Sequence, residues 1–392
     1  AFFVHLETDT LNSIVGLRSG RDIQIFTTGG EFFVPQADLD PITPSNVSVK
    51  STTKRGSKDG IRPVATEGGT FFIQRQGKAL REMLFSDVEL SYVANNISLL
   101  ASHLIVDPKA MAVRPATDTT EGDLLMIVNG TSTTGYRPAS SGLAGTLACF
   151  MLHKQQNVVA PSYLETNGTF LDVAVDLDEI YVVVKRSFPT QATFTITATD
   201  YTNIAVGTTI KFFNQDGTEI TLQSEAISGS APSSSSGNTH YFRPNESNDT
   251  TADNIYTAIN AISGFTVANP GANVVTVTRD AYGNDYQTVT SSDTTRLTST
   301  NFSDPTPTKY YLEVFDDDFT TDSAVQKTSS FSGTSYTLLD HLPRFTSAII
   351  RDDIVDSSVE VNGSGVITTG GVPTSYVEAG LDFTVTVKTN PV

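Results

Sequence analysis

Turn-forming residues recur about every eight to twelve residues along this chain, and that spacing constrains the fold more than any other feature. Thr, Ser, Gly, Asn and Asp separate short runs of β-branched and aromatic residues. Such spacing is typical of an all-β protein built from hairpins. The sequence therefore predicts a mainly β fold: an irregular multi-hairpin β domain that is propeller-like, a β-barrel or a sandwich.

Two hairpins and one central strand are predicted most clearly. The first hairpin joins residues 22–26 to residues 31–34, and Gly29 and Gly30 are expected to supply positive φ in its turn. The second joins residues 70–75 to residues 79–84 around Gly77. The run 180–184 is apolar on both faces, so we expect it at the centre of a sheet. Further strands are predicted at 123–128, 146–152, 170–175, 310–315, 335–338, 345–351, 357–361 and 383–387.

The character of the sequence changes after Phe188 and Pro189. From there to Pro307 charge is sparse, Thr, Ser and Asn dominate, and residues 228–237 form a Ser-rich loop. A helix is predicted at 252–262, because Ile255, Ile259 and Ile262 recur on one face. Thr250 or Thr251 is expected to cap its start and Gly264 to end it, with strands at 193–199, 208–213, 274–279 and 287–290.

This segment is best interpreted as an insertion into a single β domain. We predict a β-rich core in two parts, 1–188 and 308–392, interrupted by a small α+β accessory module at 189–307. The Pro-rich stretch 304–307 marks the exit of the module. Its two ends are expected to meet because Arg186 and Lys309 lie on neighbouring strands.

Charge and cysteine content exclude several classes of protein. The formal net charge is −18, and such an acidic surface disfavours sequence-specific nucleic-acid binding, although it lets a polyanion slide past. Cys149 is the only cysteine, so intrachain disulfides and a Cys/His zinc cluster are excluded by count. No catalytic, cofactor-binding or metal-ligating set is predicted, and no cofactor is expected. The chain begins at Ala1 without Met, so it is a processed product or, as we prefer, part of a longer chain.

Two acidic runs and one basic cluster are the candidate channel-lining or interface residues. The acidic runs comprise Asp316, Asp317 and Asp318, and Asp352 and Asp353. Asp322 and Asp356 lie nearby, so calcium binding is an alternative for both runs. Neither run has the D-x-D-x-D-G pattern, and its absence favours solvated loops or a channel lining. The basic cluster comprises Lys50, Lys54, Arg55 and Lys58. It predicts a phosphate contact or, preferably, a salt-bridged subunit interface, because an acidic ring needs cationic partners to associate. The isolated His341, beside Asp340, is interpreted as structural.

Several stretches outside the insertion carry a resemblance to a known family. Residues 20–31, which run GRDIQIFTTGGE, resemble the motif "pgrdLiifTsgGEw", and residues 178–186, DEIYVVVKR, resemble "DevwfvVkR". Residues 310–315, YYLEVF, are similar to "ryiEyfd", and residues 338–342, LLDHL, to "gLdHLeg". Further similarities lie at 72–82, 99–104 and 378–383, and all the stretches occur in the order of the family's motifs. Together these stretches resemble the tail nozzle, or tail tubular protein B, family of short-tailed bacteriophages (podoviruses).

This resemblance implies a non-enzymatic structural protein of the virion tail. It implies a homohexameric ring next to the tail adaptor ring and tail fibres, with viral genomic DNA passing through the channel without sequence-specific binding. Such a ring retains the packaged genome and conducts DNA during ejection. The alternatives are a depolymerase that cleaves host-surface glycans, and a glycan-binding protein whose inserted module contacts the host cell surface.

Overall fold

The computed structural model describes residues 12–35, 41–66, 68–118, 120–135, 142–227, 232–269, 271–282, 286–303, 308–356 and 358–386. The chain is 45% strand and 6% helical, which confirms the predicted mainly β fold. The described sheets do not close into a barrel, so that alternative is wrong. The N-terminus, part of the Ser-rich loop and the Pro-rich stretch 304–307 lie outside the described residues.

The first half of the chain forms three antiparallel meanders and a hairpin. The first sheet contains β1 (Ile14–Ser19), β2 (Ile23–Thr27), β3 (Glu31–Val34) and β4 (Lys50–Thr53). The second contains β5 (Val64–Ala65), β6 (Thr70–Ile73), β7 (Leu80–Ser86) and β8 (Ser91–Asn96). The third contains β9 (Pro108–Arg114), β10 (Asp123–Asn129), β11 (Leu147–His153) and β12 (Val158–Leu164). The hairpin is formed by β13 (Thr169–Asp176) and β14 (Glu179–Ser187).

The middle of the chain forms two four-stranded sheets and one α-helix. Its elements are β15 (Thr193–Ala198), β16 (Thr209–Phe213), β17 (Glu219–Ser224), β18 (Thr239–Phe242), α1 (Asn248–Asn260), β19 (Phe265–Ala268), β20 (Val274–Arg279), β21 (Thr290–Ser291) and β22 (Leu297–Ser299). The strand orders are β19-β20-β15-β22 and β18-β17-β16-β21. Buried residues between Ala192 and Phe302 pack into one core. That core fits the predicted module, whose boundaries stay a prediction.

The last part of the chain adds one strand to the earlier hairpin and otherwise forms sheets of its own. Its strands are β23 (Thr308–Val314), β24 (Asp322–Lys327), β25 (Ser335–Thr337), β26 (Thr346–Arg351), β27 (Ile354–Val355), β28 (Val359–Glu360), β29 (Val366–Thr368) and β30 (Val377–Leu381). Strand β23 joins β14 to complete a fourth sheet of three strands. A five-stranded sheet, which we call the C-terminal sheet, has the order β24-β30-β26-β27, with β28 also paired to β26, and β25 pairs with β29 in a separate two-stranded sheet. The strand predicted at 383–387 is wrong over its described residues, because β30 ends at Leu381 and 383–386 form no strand. Short 3-10 turns lie at Ser102–Leu104, Lys154–Gln156 and Tyr201–Asn203.

Four sheets lie one upon another, and this stacking explains their long apolar runs. Phe72 and Met83 face the first sheet, whereas Phe71 and Leu80 on the same strands face the third sheet. The other face of the third sheet, including Cys149, packs on the fourth sheet. Burial raises the pKa of the Cys149 thiol to about 12. Strands inside the stack are thus covered on both faces, and they show less of the apolar–polar alternation of half-exposed strands.

The backbone conformation of the first hairpin turn differs from the prediction. Neither Gly29 nor Gly30 has positive φ. The Thr27 hydroxyl accepts the N–H of Gly30 and of Gly29, at 3.1 and 3.3 Å, and donates to the Gly30 carbonyl. Glycine is required at position 30 for space, because a Cβ there would lie 2.8 Å from the carbonyl oxygen of Thr53.

The helix begins four residues before its predicted start. Ser247 is the N-cap, and its hydroxyl accepts the N–H of Thr250 at 3.0 Å. The predicted caps Thr250 and Thr251 therefore lie within the first turn. The buried face is correct, since Ile255 and Ile259 are both fully buried.

Arg186 on β14 lies directly opposite Lys309 on β23, so these two residues lie on neighbouring strands as predicted. The Arg186 side chain is fully buried. Its guanidinium donates to both carboxylate oxygens of Glu313 at 2.8 and 2.9 Å, and also to the Thr166 hydroxyl and the Asn167 carbonyl. A bidentate pair that satisfies its remaining donors offsets much of the cost of burying the charge.

Replacing Arg186 should destabilise the fold strongly. Arg186→Met leaves the Glu313 carboxylate without its charge partner, and we expect the free energy of unfolding to fall by about 3–5 kcal/mol. Urea denaturation followed by circular dichroism measures this loss. Adding Glu313→Leu should recover part of it, because the uncompensated charge is then gone.

The exposed ion pair between Lys211 and Glu219 on β16 and β17 supplies the control. Lys211→Met should cost less than about 1 kcal/mol. Equal losses in Arg186→Met and Lys211→Met would contradict the assigned role of the buried pair.

Candidate functional site

The structure distributes the predicted site residues over separate elements. Lys50 lies in β4 of the first sheet, and the other three basic residues follow that strand. The run 316–318 follows β23, and Asp352 and Asp353 form the turn between β26 and β27. The acidic runs and the basic cluster therefore do not form one site within a single chain.

Asp352 and Asp353 shape a turn. Both have positive φ, 50° and 65°, as a two-residue type I′ hairpin turn requires. The Asp352 carboxylate accepts the backbone N–H groups of Ser375, Thr374 and Tyr376 at 2.7, 2.9 and 3.2 Å. These bonds, led by that of Ser375, lower the pKa of Asp352 to about 2. The structure thus gives Asp352 a role in holding the chain at 374–376.

Asp316, Asp317 and Asp318 form an exposed acidic run. None of the three is in an ion pair within the described residues. The chain beyond them is anchored by Glu378, which is 2% exposed and accepts from the Thr320 N–H and the hydroxyls of Thr320 and Thr321 at 2.9–3.0 Å. The buried anchor holds the end of the segment, so the three carboxylates remain displayed to solvent.

Asp322 and Asp356, the two further candidate calcium ligands, have other partners. Asp322 accepts the Thr166 hydroxyl at 2.6 Å and lies 3.8 Å from the Arg186 guanidinium. Asp356 pairs with Arg351 and accepts the N–H of Gly370. No group of three His, Cys, Asp or Glu side chains suited to a metal ion occurs in the described part of the chain.

The basic cluster depends on a buried carboxylate. Glu31 is fully buried and accepts the hydroxyls of Thr53 and Ser57, together with the backbone N–H groups of Gly56 and Arg55. These bonds fix the loop that follows β4. Burial is the largest influence on Glu31 and raises its pKa. Gly56 is required in this loop, because its φ is 70° and a Cβ would lie 2.4 Å from the Thr28 carbonyl oxygen.

Beside this loop lies an open depression of about 470 Å³, which we call the basic groove. Its lining residues are Thr52, Thr53, Lys54, Arg55, Glu89, Tyr92, Val93, Ala94 and Asn95. Arg81 lies beside the groove, because its guanidinium donates to the carbonyl of the lining residue Ala94 at 3.0 Å and to the Gln74 side chain at 2.7 Å. Desolvation and then the charge of Arg55 lower the pKa of Arg81. Lys54 and Arg55 thus line the groove together with one carboxylate, Glu89, and Arg81 lies near them.

Lys54, Arg55 and Arg81 have no ion-pair partner within 4.0 Å among the residues that the structure describes. Lys54 and Arg55 were predicted from the sequence, whereas Arg81, which lies beside the groove on β7, was not. Lys50 and Lys58 flank these residues in the chain. Arrangement in the second sheet brings Arg81 to this place, and no spacing in the sequence signals it.

A second polar network surrounds the neck of the insertion. The Ser323 hydroxyl donates to Glu313 at 3.2 Å, and the Ser323 carbonyl lies 3.0 Å from Nε2 of His341. Tyr311 donates its hydroxyl to the His341 carbonyl at 2.9 Å. His341 therefore has hydrogen-bonding partners on two other segments, which fits the structural role expected from the sequence.

Comparison with known proteins does not supply a family, since no protein-family model and no curated protein matches the chain. In the described ranges, no helix has the length and hydrophobicity needed to cross a membrane.

Glu31 should give stability a distinctive pH dependence. Its folded-state pKa lies above the ordinary value of 4.5, so the folded state binds its proton more tightly and stability falls as pH rises through that window. Glu31→Gln cannot titrate. The stability of Glu31→Gln relative to the wild type should therefore improve as pH rises from below 4.5 to neutrality, measured by urea unfolding across that range.

Asp352→Asn is the control of opposite sign. The folded-state pKa of Asp352 is about 2, so its stabilisation is present above the ordinary value of 3.8 and is lost as pH falls towards 2. The deficit of Asp352→Asn should shrink upon acidification below 3.8. Parallel pH profiles for wild type and both variants would contradict these assignments.

Proposed function

We propose that this chain is a structural, non-enzymatic subunit of a bacteriophage tail that assembles into a ring-shaped nozzle. The ring is a homohexamer beside the adaptor ring and tail fibres, and its channel retains the packaged genome and conducts DNA during ejection. This proposal extends the resemblance noted in the sequence, and two features of the fold support it.

The observation that carries the proposal is the meeting of distant motif residues. Arg186 ends the stretch that resembles "DevwfvVkR", and Glu313 is the acid of the stretch that resembles "ryiEyfd". They are 127 positions apart and form the buried bidentate pair. His341, from the stretch that resembles "gLdHLeg", joins the same network through Ser323. Similarities that were individually weak therefore converge on one structural unit.

Strand β12 supports assembly with other subunits. It lies at the edge of the third sheet, and all seven of its residues are exposed. Val158, Val159, Tyr163 and Leu164 are 39–47% exposed, and residues 155–164 contain no charge. The sheets that cover β10 and β11 thus leave β12 bare on both faces. An uncharged apolar edge strand is a surface that soluble proteins normally cover or protect.

Electron microscopy of the particles, with symmetry averaging about the tail axis, tests the proposed function. We expect a sixfold tube that is continuous with the DNA channel. A trimeric spike, or a chain free of any particle, would overturn the proposal. New reducing ends from host glycans incubated with the purified chain would instead favour a depolymerase. Loss of cell attachment after deletion of 189–307 would favour a glycan-binding module.

A charge placed in β12 should weaken assembly. Val159→Lys puts an ammonium group on a surface that becomes buried between subunits, and we expect half-assembly to need a concentration at least about tenfold higher. Sedimentation velocity over a concentration series measures this change. Val206→Lys is the matched control, because Val206 is 69% exposed but lies in the middle region of the chain. Equal effects of the two substitutions would remove β12 from the interface.

A further inference from the structure

We propose that the basic groove binds the acidic run 316–318 of a second copy of this chain. The inference deepens the proposed function by naming a contact between subunits. It rests on that function only for the premise that copies of the chain associate.

Charge favours this contact. The net charge of −18 makes two copies repel each other, and a contact that sets opposite charges against one another offsets that repulsion. Lys54 and Arg55 in the groove, and Arg81 beside it, have no ion-pair partners in the described residues. The run 316–318 offers three exposed carboxylates that are likewise free of ion pairs there. Each surface therefore supplies the charge that the other lacks.

Exposed apolar residues lie beside each set of charges. Val88 and Leu90 are 96% and 75% exposed on either side of Glu89, which lines the groove. Val314 and Phe315 are 47% and 38% exposed and immediately precede the acidic run. A stable interface combines an apolar centre with polar contacts at its rim. Both surfaces carry these components next to each other.

The groove and the acidic run occupy different positions in the stack of sheets. The groove lies between β4 of the first sheet and β8 of the second, whereas the acidic run follows β23 of the fourth. The third sheet separates them, so the two surfaces lie towards opposite ends of the stack. Contact between unlike surfaces of identical subunits is heterologous, and it closes into a ring when the rotation between subunits allows. The inferred contact is therefore of the kind that a ring requires.

Charge reversal on each side tests the contact. The groove-reversed variant is Lys54→Glu with Arg55→Glu, and the acid-reversed variant is Asp317→Lys with Asp318→Lys. In each variant alone, the groove and the acidic run carry charges of the same sign and repel each other. We therefore expect half-assembly to need about a hundredfold higher concentration in sedimentation velocity at low salt. Glu246→Lys with Asp249→Lys is the control, because it changes the net charge as the acid-reversed variant does, at exposed residues beside the start of α1. It should leave assembly unchanged or improve it slightly.

Restoration of assembly is the sharper readout. In an equimolar mixture of the two reversed variants, every contact between unlike variants brings a positive surface against a negative one, so assembly should return. The quadruple variant carries both reversals and should assemble alone. These recoveries also exclude misfolding as the cause of the losses. Circular dichroism should show native strand content in each variant.

Three results would overturn the inference. One is unchanged assembly of both reversed variants, and the second is failure of the mixture and of the quadruple variant to assemble. The third is groove reversal that spares assembly but abolishes binding of a short duplex DNA, which would make the groove a nucleic-acid contact. Microscopy of tails that carry the same variants separates the two proposals. A nozzle ring that tolerates both reversals leaves the proposed function standing and removes only this contact.

Discussion

The buried pair of Arg186 and Glu313 holds together two strands that lie far apart in the sequence. It lies where the chain leaves the fourth sheet for the inserted segment and where it returns. Strands β14 and β23 could not pair without closing the long loop between them, and loop closure costs entropy. The bidentate contact and its neighbours Thr166, Ser323 and His341 draw three segments of the chain to this one place. The C-terminal sheet reaches the same place through Phe188 and Tyr311, which pack in its core.

Stacking of the sheets leaves some surfaces at their edges uncovered. Inside the stack, each sheet covers its neighbours, and apolar residues on both faces are buried. At the margins, β12 has no cover on either face, and the groove and the acidic run each display unpaired charge. The same architecture that gives the chain a large core therefore concentrates its unsatisfied surfaces at particular edges. These edges are the surfaces from which association with further copies is proposed.

Local patterns predicted the longer hairpins but left out many strands, among them β4, β8, β9, β12 and β24. The two hairpins, the central position of β14 and the buried face of α1 follow from alternation and turn residues, and they are confirmed. The predicted turn chemistry failed at Gly29 and Gly30, because the Thr27 side chain organises that turn without positive φ. Strand β12 was missed because its sequence, VVAPSYL, has Pro161 at its centre and no alternation. Arg81 was not predicted beside the basic groove, since only a side-chain hydrogen bond to Ala94, 13 positions away, marks its place there.

The position of Cys149 has a practical consequence. It is the only cysteine of the chain, it is 3% exposed, and burial raises the pKa of its thiol, which favours the protonated form. Thiolate is the reactive form, so this residue should resist maleimides and mild oxidants. A single cysteine introduced on the surface would then carry a fluorophore or a spin label at one defined point without removal of the native residue. Distances between neighbouring copies in an assembly thereby become measurable by energy transfer or by electron–electron resonance.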